Sequence, residues 1–235
     1  MKIKKFGYTI EQPSCDETGN VYCKASESTQ NIVKLMKERN LNGFIEPNVG
    51  HLSTLVEVKS FDTALNLNPW NADFIKCDAL KISKEYLSLL NLGLFARSAD
   101  YMMLALLSEN DVYLLHISVK SLNDGILQIL SEENIDCTYV AVEGPCISAE
   151  NYFLYGKKYI EENISNFSDL GYDKHIYYNG EKLHVDIRGI VREELMKRGI
   201  KTLVSNNQCT YKNTKLGSNR RDGKNRHDNV MIITA

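Results

Sequence analysis

The chain has 235 residues, 43% hydrophobic and 25% charged, enough to bury one large core without disulfide or metal staples. A formal charge of -2 excludes a global electrostatic pull toward nucleic acid or an anionic membrane. Six cysteines without a Cys-x-x-Cys pair, and an N-terminus with no apolar run behind Lys4-Lys5, argue against a secreted disulfide framework and for a cytoplasmic protein.

In chain order, alternation predicts a strand over 2–10, closing near Pro13. A helix over 26–40 follows, with Ser28 or Thr29 as cap and Ile32, Leu35 and Met36 on one face. Short strands are expected over 44–46, 55–58 and 72–75, and a short helix over 83–90. Residues 96–116 read as two buried strands joined by a polar turn at Ser108, Glu109, Asn110 and Asp111. An amphipathic helix over 122–131 and a strand over 139–142, ended by Gly144-Pro145, come next. Helices over 151–164 and 187–198, the latter stopped by Gly199, and strands over 201–205 and 230–234 complete the pattern. Strands and helices alternate irregularly, which predicts a single α+β domain over 1–235 with mixed β-sheets flanked by helices.

The hairpin is the most informative stretch, because Asp100, Tyr101 and His116 are polar groups in an apolar setting and burial is costly for each unless it is paired. It carries Ser98-Ala99-Asp100-Tyr101 and, on the second strand, His116-Ile117-Ser118-Val119-Lys120-Ser121. Further segments stand out in order: Asn48-Val49-Gly50-His51, Gly144-Pro145-Cys146-Ile147, Val185-Asp186-Ile187-Arg188, Cys209-Thr210-Tyr211-Lys212, and Ser218-Asn219-Arg220-Arg221-Asp222-Gly223 with Arg226. Collinear from Asn48 to the C-terminus, these resemble the motifs of the laccase-domain family, also called YfiH-like or polyphenol oxidase proteins. Tyr101 stands where that family has a cysteine, and Val119-Lys120 where it has Trp-Arg.

The resemblance implies the YfiH-like, cysteine-hydrolase-like fold and a purine nucleoside enzyme that uses phosphate, in some members also deaminating adenosine. It implies a site of His51, His116 and Asp100, with Arg220, Arg221, Lys120 and Ser218 toward substrate and phosphate. It also implies a metal set of His51, His116 and Tyr101. A phenol with a pKa near 10 is a poor ligand, so zinc is expected weakly or not at all. Copper is not expected, because a multicopper centre needs many more histidines than the five in this chain. Thiol catalysis at position 101 is ruled out by the tyrosine.

Plainer readings stand beside these. Tyr101 reads equally as a buried tyrosine in a repacked core, with the histidines only hydrogen-bonded, and Asp100 as an anchor for the hairpin end. The basic run over 212–227 reads as a solvated loop or as an anion clamp of paired arginines. The expected partners are a nucleoside and phosphate, with no nucleic acid and no membrane. The alternative from another class is a catalytically silent member that binds a nucleotide-like ligand or a protein partner.

Overall fold

Met102–Leu107 carries an apolar side chain at every position, and every one is buried, as expected of a strand covered on both faces. In the computed structural model, which describes residues 1–22, 27–50, 53–67 and 75–235, this strand lies inside a six-stranded mixed sheet. The sheet comprises β4 (Leu55–Val58), β5 (Ala79–Ser83), β7 (Met102–Leu107), β8 (Asp111–Ile117), β9 (Val140–Glu143) and β13 (Lys201–Val204), in the order β13-β9-β7-β8-β5-β4. Its outer pairs, β13 with β9 and β4 with β5, are parallel and the inner ones antiparallel.

A second mixed sheet of five strands holds β1 (Lys2–Lys5), β2 (Tyr8–Glu11), β3 (Gly43–Ile45), β6 (Leu92–Ser98) and β14 (Asn229–Thr234), in the order β1-β2-β14-β6-β3. The two sheets face each other. Leu94, Ala96 and Met231 from one pack with Met103, Ala105 and Leu114 from the other. Beyond the six-stranded sheet, Leu104, Leu106 and Leu115 meet the helices Lys157–Asp169 and Ile187–Lys197 through Phe167, Ile190 and Leu195. A small sheet of β10 (Phe153–Leu154), β11 (Ile176–Asn179) and β12 (Lys182–Val185) closes that side. Beyond the five-stranded sheet, Ile32 and Leu35 of the helix Ser28–Glu38 cover Phe44, Phe95 and Ile232. The fold is α+β, as expected. Among the described residues no helix is long and apolar enough to cross a membrane.

Several expected elements are corrected, mostly where backbone turns interrupt an apolar pattern. The strand over 2–10 is a hairpin of β1 and β2, because Phe6 and Gly7 take positive φ and reverse the chain with a twist that suits paired strands. The helix over 122–131 breaks at Gly125, also at positive φ, into Val119–Asn123 and Ile129–Glu132 joined by a short 3-10 turn. The helix over 151–164 starts only at Lys157, since Phe153–Leu154 pair with β12 as a strand. Neither Ser28 nor Thr29 caps its helix: Glu27 holds the cap position, and the Ser28 hydroxyl donates to the carbonyl of Val21 instead. Most of the strand over 72–75 lies outside the described residues, and the strand there begins at Ala79.

Between β6 and β7 the chain leaves one sheet and enters the other within Ala99, Asp100 and Tyr101. The Ser98 hydroxyl donates to the carbonyl of Tyr101 at 2.7 Å, closing this corner. The corner sets the site.

Candidate functional site

Asp100 is buried, and its carboxylate is fully engaged. One oxygen accepts from the Thr210 hydroxyl and the other from the backbone N–H of Arg220, both at 2.8 Å. Its carbonyl accepts from Ile147 N–H. Asp100 thus ties the corner to the Gly144-Pro145 loop, to the Cys209-Thr210 segment and to the short helix Asn219–Asp222. These are the anchoring contacts that the plainer reading of Asp100 anticipates.

His116 on β8 sits opposite Met103 in the register and is 5% exposed. Its Nδ1 lies 3.9 Å from a carboxylate oxygen of the fully buried Asp78, whose carbonyl accepts the His116 N–H. At 3.9 Å the carboxylate is a charged neighbour of the ring, beyond direct hydrogen-bond distance. Tyr101 meets the His116 ring edge-on at 5.8 Å, and its hydroxyl lies 3.3 Å from that of Tyr152. Burial raises the Tyr101 pKa, so the phenol stays protonated.

Arg220 and Arg221 part company. The Arg221 guanidinium donates twice to Asp222, at 2.6 and 2.7 Å, and also to the carbonyls of Thr210, Tyr211, Asn213 and Leu216. Its donors hold the loop together, so the expected paired-arginine clamp does not form. Arg220 instead lies over the rings of Tyr152 and Phe153, at 4.8 and 4.9 Å, with one N–H on the Phe153 carbonyl at 2.7 Å. Ser218 is buried and caps Asn219–Asp222, its oxygen accepting from Arg221 N–H. Lys120 is exposed on Val119–Asn123 and is not among the residues that line the cleft. His51 lies outside the described residues.

His116, Tyr101, Asp100 and Arg220 share the wall of a cleft of about 810 Å³, with Glu46, Asn48, Arg97, Tyr152, Asn219, Arg226 and Asp228 among its other lining residues. This volume lies within the range of small-molecule sites. Arg97 pairs with Glu46 at 2.5 Å, and Arg226 with Asp228 at 3.4 Å. Burial raises the carboxyl pKa of both Glu46 and Asp228, against the nearby arginines. Among the described residues, the Arg220 guanidinium has no acidic partner, which leaves it as the cation available to an anionic ligand.

Sequence reasoning missed Glu46, Asp78 and Arg97. Arg97 carried a signal, as a lone charge in the apolar run Leu94-Phe95-Ala96. Asp78 and Glu46 carried none, because their partners lie on other strands.

The family model described as multi-copper polyphenol oxidoreductase laccase matches residues 25–234. The chain belongs to this laccase family. Three solved structures share the laccase family chain's fold at low identity. The Bacillus licheniformis hypothetical protein YfiH is 18% identical at a TM-score of 0.78, with 97% of this chain and 92% of that one covered. YlmD from Geobacillus stearothermophilus is 15% identical at 0.75, with 97% and 90% covered. Neisseria meningitidis protein NMB0706 is 16% identical at 0.74, with 100% and 98% covered. No curated protein sequence matches the chain.

The laccase family's name implies copper, and the resemblance in the motifs implies zinc. Among the described residues no group of three or more His, Cys, Asp or Glu is placed to hold a metal ion. A protonated phenol at position 101 adds no competent ligand. The residues described at this site do not fit such a centre.

Proposed function

We propose that the cleft carries out phosphorolysis of a purine nucleoside. The family relation supports an enzyme-type role, and the geometry supplies the groups. In this reading Arg220 holds phosphate against the sugar. A phosphate oxygen bonds to C1′ as the bond from C1′ to the purine nitrogen breaks. The bonding pair leaves with the purine, which takes a proton, giving ribose 1-phosphate and free base. His116, with the Asp78 carboxylate 3.9 Å from its Nδ1, is the proton donor, and cationic charge at the phosphate stabilises the transition state. His51 enters through the family resemblance. Arg221 and Ser218 serve the loop and Asp100 positions it, while Lys120 has no part.

The observation that carries this reading is the Arg220 guanidinium, free of any described acidic partner, in one cleft with His116. The test is release of free base from adenosine, inosine, guanosine and methylthioadenosine, with and without phosphate. Phosphate-dependent release that falls in Arg220→Lys is expected; no release from any nucleoside would overturn the reading.

The protonated Tyr101 favours a second reading, a silent member that binds such a ligand without turning it over. Binding of nucleoside with no base release would select it.

A further inference from the structure

Glu46 lines the cleft and has no role in the proposed phosphorolysis. It follows directly on β3, is 3% exposed, and belongs to the cleft wall. One carboxylate oxygen accepts from Arg97 at 2.5 Å. The other is buried and, among the described residues, has no hydrogen-bond partner. Buried polar atoms are almost always satisfied, and one left open in a ligand-sized cleft asks for its partner. The neighbouring cations do not supply it. Arg97 directs its other amino group to the Val21 carbonyl at 2.7 Å. Arg226 donates to Asn219 and lies beside Asp228, its Nε 3.4 Å away without a hydrogen bond among the described residues, and its guanidinium carbon is 4.1 Å from the centre of the Tyr22 ring.

We infer that Glu46 is a specificity-determining residue whose inner oxygen accepts a hydrogen bond from the bound ligand. The inference rests on the nucleoside reading and deepens it. The required chemistry is a neutral donor, either a sugar O–H or an N–H on the base edge. Arg97 occupies one carboxylate oxygen, which leaves the inner one to face the ligand. Discrimination is large when a missing ligand donor leaves a buried polar group unpaired.

Calorimetric titration of the natural chain with inosine, its 2′-deoxy, 3′-deoxy and 5′-deoxy analogues and 1-methylinosine tests this. One analogue is expected to bind about ten- to hundredfold more weakly, the cost of a lost hydrogen bond to a charged group. A deoxy analogue assigns the sugar, and the methylated one assigns the base. In Glu46→Gln the parent weakens and the difference between parent and that analogue disappears. Should Glu46→Gln fail to fold, Glu46→Asp keeps the charge facing Arg97 and is expected to weaken the parent alone. If every analogue binds the natural chain as well as inosine does, or if the discrimination persists unchanged in the Glu46 variant, the inference is overturned while the nucleoside reading stands. Absence of binding by any nucleoside, with or without phosphate, overturns both.

Discussion

The carboxylate of Asp100 accepts the backbone N–H of Arg220 at 2.8 Å across a separation of 120 residues. The same carboxylate takes the Thr210 hydroxyl, so two donors from two loops converge on one buried acid. Asp100→Asn keeps the shape but turns one of the two acceptors into a donor. We expect a loss of about 1–3 kcal/mol, the penalty for leaving a buried donor unsatisfied. Phosphate affinity should fall as well, because the backbone of Arg220 is released. Urea denaturation and phosphate titration check this, and a variant unchanged in both would remove Asp100 from its positioning role.

Adjacent arginines are expected to behave oppositely. Arg221→Lys sacrifices the planar fork that reaches Asp222 and the surrounding carbonyls, and Lys is no substitute for that geometry. Its melting temperature should drop. Arg220→Lys should melt near the natural chain but bind phosphate more weakly. Thermal melts with and without phosphate separate the two, and the reverse pattern would show that the anion contact belongs to Arg221.

The side chain at position 101 is expected to set any affinity for zinc. Burial keeps the Tyr101 phenol protonated, whereas a cysteine there would offer a soft thiolate beside His116. Atomic absorption should find sub-stoichiometric zinc in the natural chain, about the same in Tyr101→Phe, and more in Tyr101→Cys. Tight stoichiometric zinc that is indifferent to Tyr101→Phe would show that other residues hold it.

A surface cluster gives the pH prediction. Glu193 meets the His175 ring at 2.5 Å and the amino groups of Lys174 and Lys197 at 3.1 Å. The His175 hydrogen bond, with those lysines, holds its carboxyl at about 2. A folded pKa below the unfolded value stabilises the fold above the unfolded pKa, and the contribution is lost as pH falls from about 4.5 toward about 2. Glu193→Gln should therefore be less stable than the natural chain at pH 7, with the gap closing across that window and shrinking in high salt. A gap equally wide at both ends of the titration would assign the effect to packing.

The hairpin of β7 and β8 was legible because its first strand is wholly apolar, its second largely so, and its turn polar, a pattern that survives without knowledge of partners. The helix Ile187–Lys197 was legible for a similar reason, with Gly199 at positive φ just beyond it. The β11–β12 hairpin was not, because Ile176–Asn179 is largely exposed and shows no apolar alternation. In the site, His116, Asp100 and Arg220 were found through motif resemblance and do share the cleft. The division between Arg220 and Arg221 was not readable, because two identical side chains differ only in which carbonyls the folded loop presents. Glu46 and Arg97 are 51 residues apart, and no local pattern relates two charges on neighbouring strands.

The corner at Asp100 also bears on how the molecule is made. Its contacts reach Ile147, Thr210 and Arg220, so the cleft floor is built almost wholly from sequence-distant pairings, the kind that form slowly. A nascent chain lacking its last strands cannot assemble it. On the proposed function, nucleoside binding is expected only once these distant segments have met, and a nucleoside-dependent signal during refolding would report that late pairing rather than first collapse.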